Sequence, residues 1–493
     1  MSTNLLSLTE ETLAAKDEVL KAVTNAGYDM SLGLTGFNLE APAKVLFPVL
    51  SPFRNRVARH QAANGAKASQ WKAITGINVT RKSVFSGYGV AGNLISTTEQ
   101  DVLAAYAPIA LGDTVQMDAA ALARGFDDLR ARAGTNLLYA LMIGEDEALL
   151  GSQNFALQTP GTPVVATSTT GGTIATTTAI NVKVSVRTLQ NYYTGGGTVL
   201  SAQGTVTTGA GSTNSGTATV PAVVGAAAYD WYVSGFYYAT TYVNKVTITS
   251  IPGADQAVTN LPLLSGNNIT AASRASDLSA DPNAFNGLLA SLVGDYNATG
   301  TLVQHGAGST ASGATFQSLD GATLTGNSGG ITEIDNILQS LWDTSNISPT
   351  VLMANSQHIR DITRKVIATG GAYTLFQPDN IAQRQGVVGG QVLRTYLNPA
   401  VEAQPIDIVV QPHLPQGTII LGAERLPFPG NNVESVWSVE TQQEYQQVEY
   451  AMSRGTAGAA WSGPRYDFEV RAIETFRNQF PAGCAVLQNV AAG

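Results

Sequence analysis

Gly326, Ser328 and Gly330 spell GxSxG, the pattern in which a serine nucleophile stands on a sharp turn and attacks an acyl carbon. Such an elbow needs a firm strand before it and a helix after it. Residues 296–330 are instead rich in Gly, Ser and Thr, so Ser328 reads as part of a loop turn. Gly87, Gly89 and Gly92 fit GxGxxG, the spacing that admits a pyrophosphate, but no helix clearly follows them. Glu145, Asp146 and Glu147 are consecutive carboxylates without the spacing of a calcium loop, and they read as a solvated face. The four histidines, His60, His305, His358 and His413, show no metal-ligand spacing. His358 falls on a helical pattern as a surface or half-buried residue. Cys484 is the single cysteine, which rules out an intrachain disulfide and reads as a small buried residue. No acid–base constellation converges, so the expectation is no enzyme, no cofactor and no metal.

The strongest signal is charge segregation. Residues 41–98 contain no Asp or Glu, yet they carry Lys44, Arg54, Arg56, Arg59, Lys67, Lys72, Arg81 and Lys82. Residues 117–150 then carry six acids and three arginines. The whole chain is acidic, at −9, so a basic arm on it is best used against another acidic copy, where opposite fields attract and fix register. Arg54, Arg56, Arg59, Lys67, Lys72, Arg81 and Lys82 are therefore candidate inter-subunit contacts. Asp127, Asp128 and Glu145 are candidate partners on the following helix.

The elements that must position these residues can be read in order. With 493 residues the chain can hold two to four domains. Charged residues make up 13%, about half the usual share, which suggests a surface largely covered by partners or built of polar uncharged β-structure. The N-terminal residues have neither the basic start nor the apolar core of a signal peptide, and no run suits a membrane helix, so the expectation is a soluble chain made in the cytosol. Residues 8–26 read as a short helix and 27–50 as extended chain. Residues 52–113 read as a projecting hairpin with its return limb at 89–111, which would need a neighbour to lie on. Residues 117–150 read as one long helix of roughly 50 Å, capped by Asp118, with Leu122, Phe126, Leu129, Ala133, Leu137 and Leu141 as its stripe.

Composition then shifts. Between Ala148 and Arg274 only Lys183, Arg187, Asp230, Lys245 and Asp255 are charged. Residues 180–187, 229–233 and 242–249 are strand-like, and glycine-rich turns such as that at Gly195 separate them. This predicts an inserted β-sandwich of immunoglobulin or fibronectin type, with Trp231 in its core, that decorates the surface. Helices at 332–342 and 356–366, a buried strand at 347–355, a turn at Asp320 and further strands at 466–476 complete the pattern.

This order resembles that of tailed-bacteriophage major capsid proteins of the Hong Kong 97 type. The likeness is carried by residues 51–57 through 71–78, by 117–150, by Phe285, Ile334 and 348–355, and by 464–475. The resemblance implies an α+β fold with these parts: an N-terminal arm (1–50), an E-loop hairpin (51–115), the spine helix of a peripheral domain (116–154), an axial domain (276–430) and returning peripheral strands (431–493). An immunoglobulin-like β-sandwich is inserted at 155–275. It further implies self-assembly into hexamers and pentamers of an icosahedral shell, located in the virion and enclosing double-stranded DNA non-specifically. Scaffold and portal proteins would be partners and no membrane would be. In some members an E-loop lysine is cross-linked to a neighbour, and Lys67, Lys72 and Lys82 are the candidates by position. Two other classes stay open: the shell of a bacterial nanocompartment, which shares that fold, and a surface adhesin with an immunoglobulin-like domain.

Overall fold

The computed structural model describes residues 51–62, 65–77, 85, 88–91, 97–122, 128–258, 269–303, 314–370, 393–401, 404–426, 433–451 and 465–493. The arm and helix expected over 1–50, together with Arg81, Lys82 and Asp127, lie outside these residues.

Strand alternation sets the largest layer, because successive side chains point to opposite faces. A six-stranded mixed sheet runs in the order Thr315–Ser318, Ala485–Gln488, Ile419–Gly422, Val351–Ala354, Gln404–Val410, Thr395–Asn398. Val351, Met353, Ile420 and Val486 enter one core, while Leu352, Ala354, Ile419, Leu421, Ala485 and Leu487 enter another. Burial on both faces is why these strands read as unbroken apolar runs. The second core is closed by the helices Thr332–Ser345 and Ser356–Gly370, through Ile334, Ile337, Leu341, Ile359 and Ile362.

A four-stranded sheet holds Ala58–Gln61, Trp437–Ala451, Arg465–Asn478 and Ala107–Gln116, in that order. The helix Leu129–Gly151 lies on it, placing Ala133, Leu137 and Leu141 against Phe468 and Val470. The single helix expected over 117–150 is instead a short Met117–Leu122 helix and this longer one. Asp128 caps the second helix by accepting from the Arg130 and Ala131 amides at 3.1 and 3.2 Å. A side-chain acceptor for orphan amides favours a new helix start at that point. The 23 residues of Leu129–Gly151 span about 35 Å rather than 50.

The projecting hairpin is shorter than the 51–115 span expected. Ala68–Ile77 pairs antiparallel with Thr97–Ala105 as a sheet of its own, with a bulge between Ile74 and Gly76. The chain runs on through Tyr106 into Ala107–Gln116, which belongs to the four-stranded sheet. Residues 51–61 are part of the body: Phe53 is buried against Trp437 and Phe476, with ring centroids 5.6 and 5.9 Å away.

Strands from Val164 to Ile248 form a two-sheet sandwich. One sheet runs Phe236–Thr241, Ala228–Val233, Ala179–Arg187, Gly204–Thr207, and the other Lys245–Ile248, Ser215–Thr219, Val164–Ser168. Ile180, Val182, Val184, Trp231, Ala218 and Ile248 share one core between them. The strand expected over 242–249 begins at Lys245, and Tyr242 to Asn244 form the turn before it. The sandwich is more than a surface addition. Leu189 and Ala227 join the core that holds Leu149, Leu150 and Phe285. The Gln488 side chain donates to Ala226 O at 3.0 Å and accepts from the Gly225 amide at 3.2 Å.

Candidate functional site

The hairpin and the charged groups at its base form the most distinctive surface of the molecule. Its two strands have no third strand beside them among the described residues, and Ile74, Tyr88 and Val90 are exposed. Lys72 stands on this ribbon at 3.2 Å from Glu99 and 3.8 Å from Asp101 across the strand pair, and Lys67 is exposed at its root. The contribution of such solvated pairs is small.

The root itself is clasped. The Arg477 guanidinium lies over the Trp71 ring, 4.7 Å from its centroid, and donates to Glu440 Oε1 at 3.3 Å. Tyr106, at the switch between hairpin and sheet, donates its hydroxyl proton to Glu440 Oε2 at 2.9 Å. Burial and the adjoining carboxylate push the Tyr106 hydroxyl up to about 12. On the other side the Leu103 amide donates to Gly300 O at 2.8 Å. Gly300 has φ +78°, and a Cβ there would meet Asp101 O at 2.5 Å, so the turn at 297–301 closes on the strand only because this residue is glycine. None of these residues forms a sequence motif; their separation in the chain hides the cluster.

Arg54, Arg56 and Arg59 are not on the hairpin, and their ion pairs close within the chain. Arg54 Nε donates to Glu145 Oε2 at 2.5 Å, Arg59 pairs with Glu145 and with Glu474, and Arg56 binds Glu424 Oε1 at 2.6 Å. Arg54 and Arg59 also lie over the Tyr445 ring, 5.6 and 5.9 Å from its centroid. Arg54, Arg56, Arg59 and Glu145, expected at contacts between subunits, thus have partners inside the chain: a basic segment beside an acidic helix has folded onto it. The three carboxylates are not a solvated face either. Glu145 and Asp146 are buried, and Asp146 accepts from the Arg54 amide at 2.7 Å and from Gln411 Nε2 at 2.9 Å. Burial holds Asp146 and Glu474 above the usual carboxylate value despite these partners.

A second buried network was not anticipated. Asp230, fully enclosed in the sandwich, accepts through Oδ2 from Arg187 Nε at 2.7 Å and from Arg274 Nη2 at 2.8 Å. Arg187 Nη1 donates to Asn191 O within the helix Leu189–Thr194 and Arg274 Nη1 to Gly195 O at its C-cap, at 3.2 and 2.9 Å, while Arg187 Nη2 and Arg274 Nε are buried without a hydrogen-bond partner. The scarcity of charge in this part of the sequence was the available signal: three of its few ions had each other as partners.

The residues considered for chemistry fall elsewhere. Ser328, at φ +48°, is in the hairpin turn between the short strands Gly326–Asn327 and Gly330–Ile331, so a strand, not the helix Thr332–Ser345 that comes after it, follows the serine directly. His358 is fully buried rather than at the surface, and its Nε2 accepts from the Gly417 amide at 2.7 Å. Cys484 is buried, and burial pushes its thiol up to about 12. Of the GxGxxG glycines only Gly89 is among the described residues.

No family model and no curated protein matches the chain. Solved structures do. The capsid of a native GTA particle matches at a TM-score of 0.40 and 8% identity over 94% of this chain and 99% of that one. The cyanophage A-1(L) capsid matches at 0.41 and 10%, covering 94% and 99%. The capsid of Myoviridae phage XM1 matches at 0.41 and 6%, covering 94% and 98%. Each is a distant likeness.

Proposed function

We propose that this chain is a structural shell subunit: a major capsid protein that assembles into hexamers and pentamers of an icosahedral container for double-stranded DNA. The observation that carries the reading is the hairpin of Ala68–Ile77 and Thr97–Ala105, anchored at its root and unsupported along its length among the described residues. A two-stranded ribbon is marginal alone in water, and exposed apolar residues on it call for a surface to cover them. A neighbouring subunit supplies that surface in every member of a ring, because a repeated heterologous contact closes when its rotation permits. Arg54, Arg56 and Arg59 are paired within the chain, so the basic contacts proposed are Lys67, Lys72, Arg81 and Lys82, with Asp127 and Asp128 as the acids a neighbour would meet.

Each such exposed pair need contribute only about 0.2–1 kcal/mol, since many act together in a closed shell. The net charge of −9 suits a wall that encloses DNA without gripping it. The body supplies the peripheral and axial parts of the subunit, and the sandwich is an immunoglobulin-like insertion seated on it. Scaffold and portal proteins are the expected assembly partners, the virion is the location, and the role is structural rather than enzymatic.

Sedimentation and negative-stain imaging of the purified chain test this. Particles are expected for the unaltered protein, and a folded, unassembled chain for Ile74→Glu combined with Val90→Glu. Normal particles from that variant would remove the hairpin from the mechanism. Particles taken from the cells that produce them should retain nuclease-protected DNA; a protein cargo without nucleic acid would favour a nanocompartment shell instead.

A further inference from the structure

Arg274 belongs to a network with more positive charge than the chain itself balances. It shares one carboxylate, Asp230, with Arg187, and the other oxygen of that carboxylate is taken by the Thr240 hydroxyl at 2.6 Å. Among the described residues no second anion pairs with either guanidinium, so the network holds one surplus cation. Arg274 is only 1% exposed, and its Nε is one of the two donors left without a partner. A buried cation short of partners is costly. Arg274 also lines a cleft of about 380 Å³ between the helix Leu189–Thr194 and residues 278–282. Two further features of that cleft complement the first. Asp281 lines it and forms no ion pair among the described residues; Gln190 Nε2 and the Asn283 amide donate to it at 3.3 and 2.9 Å, which orients the carboxylate without neutralising it. Leu278 lines it as well and is 50% exposed, held there by its carbonyl, which accepts from Asn191 Nδ2 at 3.0 Å.

We infer that this cleft binds a free α-amino acid with an apolar side chain. The three features ask for three groups on one small molecule. A carboxylate supplies the anion that Arg187 and Arg274 lack, and it suits the planar fork of the Arg274 guanidinium. An ammonium group meets the carboxylate of Asp281. An apolar side chain covers Leu278, beside Ala280 and Pro282. Charge counting narrows the class. One carboxylate matches one surplus cation, whereas a dianion such as phosphate overshoots it and is repelled by Asp281. An amine without a carboxylate leaves the buried cation as it was. The occupant also has a structural effect, because it lies between the sandwich helix and the segment that leads from Arg274 to Phe285 in the body core. It would clamp the sandwich to the body, whether or not the chain assembles.

Isothermal titration of the full-length chain with L-leucine tests this. Saturable binding of one molecule per chain is expected. Three analogues each lack one group: 4-methylpentanoate the ammonium, 3-methylbutylamine the carboxylate, and glycine the side chain. Each should bind roughly tenfold more weakly or worse, the loss that follows when one charged or apolar contact is removed. Asp281→Asn should weaken L-leucine by about the same factor and leave 4-methylpentanoate unchanged. Leu278→Ser should bring L-leucine down to the level of glycine. Asp281 is half-buried and Leu278 exposed, so both variants should keep the circular dichroism and ligand-free thermal unfolding of the unaltered chain. Failure of the folded chain to take up L-leucine would overturn the proposal. So would equal binding of 4-methylpentanoate, which makes the cleft a plain anion site, or unchanged affinity in both variants, which puts the ligand elsewhere. None of these measurements needs particles, so each outcome leaves the shell reading as it stands.

Discussion

Arg54 Nε and Glu145 Oε2 lie 2.5 Å apart although 91 positions separate them in the chain. The pair ties the segment before the hairpin to the long helix beneath it. Glu145 is buried and Arg54 nearly so, which makes the contact part of the fold rather than an adjustable surface pair.

Arg54→Ala should destabilise the chain by about 3 kcal/mol, at the low end for breaking a buried pair because Arg59 also reaches Glu145. Urea denaturation followed by fluorescence measures it. The double change Arg54→Met with Glu145→Met should cost clearly less than the single one, since no buried carboxylate is then left short of a cation. Equal losses would show that packing, not charge, dominates there.

Asp230→Asn leaves Arg187 and Arg274 side by side inside the sandwich with one carboxylate fewer. A loss of about 3–5 kcal/mol is expected. Limited proteolysis should open the returning segment around Arg274 first, because that residue joins the sandwich through Asp230 and Gly195 O.

His358 gives a pH dependence whose sign is fixed by its burial. Its ring accepts from Gly417 through Nε2 and must be neutral to do so; burial holds its pKa below the ordinary 6.5. The unfolded chain therefore binds this proton first. The stability present above about pH 6.5 drains as pH falls toward the lower folded value. Between pH 7.5 and 5.5 the difference in urea midpoint between the unaltered chain and His358→Asn should narrow. A constant difference would mean His358 does not titrate in that window. Asp146 and Glu474 act in the opposite sense: their raised values make the folded state favour protons, so their burial costs least at low pH.

Gly300→Ala should loosen the hairpin root. The residue sits at φ +78°, and its new Cβ would press on Asp101 O. A cost of about 1 kcal/mol or more is expected from the backbone alone. Amide exchange at 97–105 should accelerate while exchange at 465–478 holds steady. Equal protection in both proteins would show that Trp71 and Arg477 hold the root without this turn.

Several parts of the molecule were legible because local signals were strong. The helices beginning at Thr332 and Ser356 announce themselves by apolar spacing, and the strand at 351–354 by a short, wholly apolar run. Trp231 was read as a core residue because it lies within a strand pattern in a segment nearly free of charge, and it is fully buried. The long helix was legible as a helix but not in extent. Its break depends on Asp128 turning its carboxylate to the Arg130 and Ala131 amides, and an aspartate can equally stay in a helix or face water.

The charged residues show where sequence stops. Sequence established by itself that residues 41–98 hold cations without anions, that 145–147 hold three carboxylates, and that opposite charges of this density must meet something. Whether they meet within one chain or between two is a matter of path, because Coulomb attraction is indifferent to chain connectivity. Tertiary structure decided it for the described residues. Phe53 packs against Trp437 and Phe476 and holds residues 54–61 beside the long helix, so Arg54 and Arg59 find Glu145 at once. The strands that begin at Ala68 and end at Ala105 leave the body together, and the exposed surface they carry is settled by where their root is anchored rather than by any residue pattern along them.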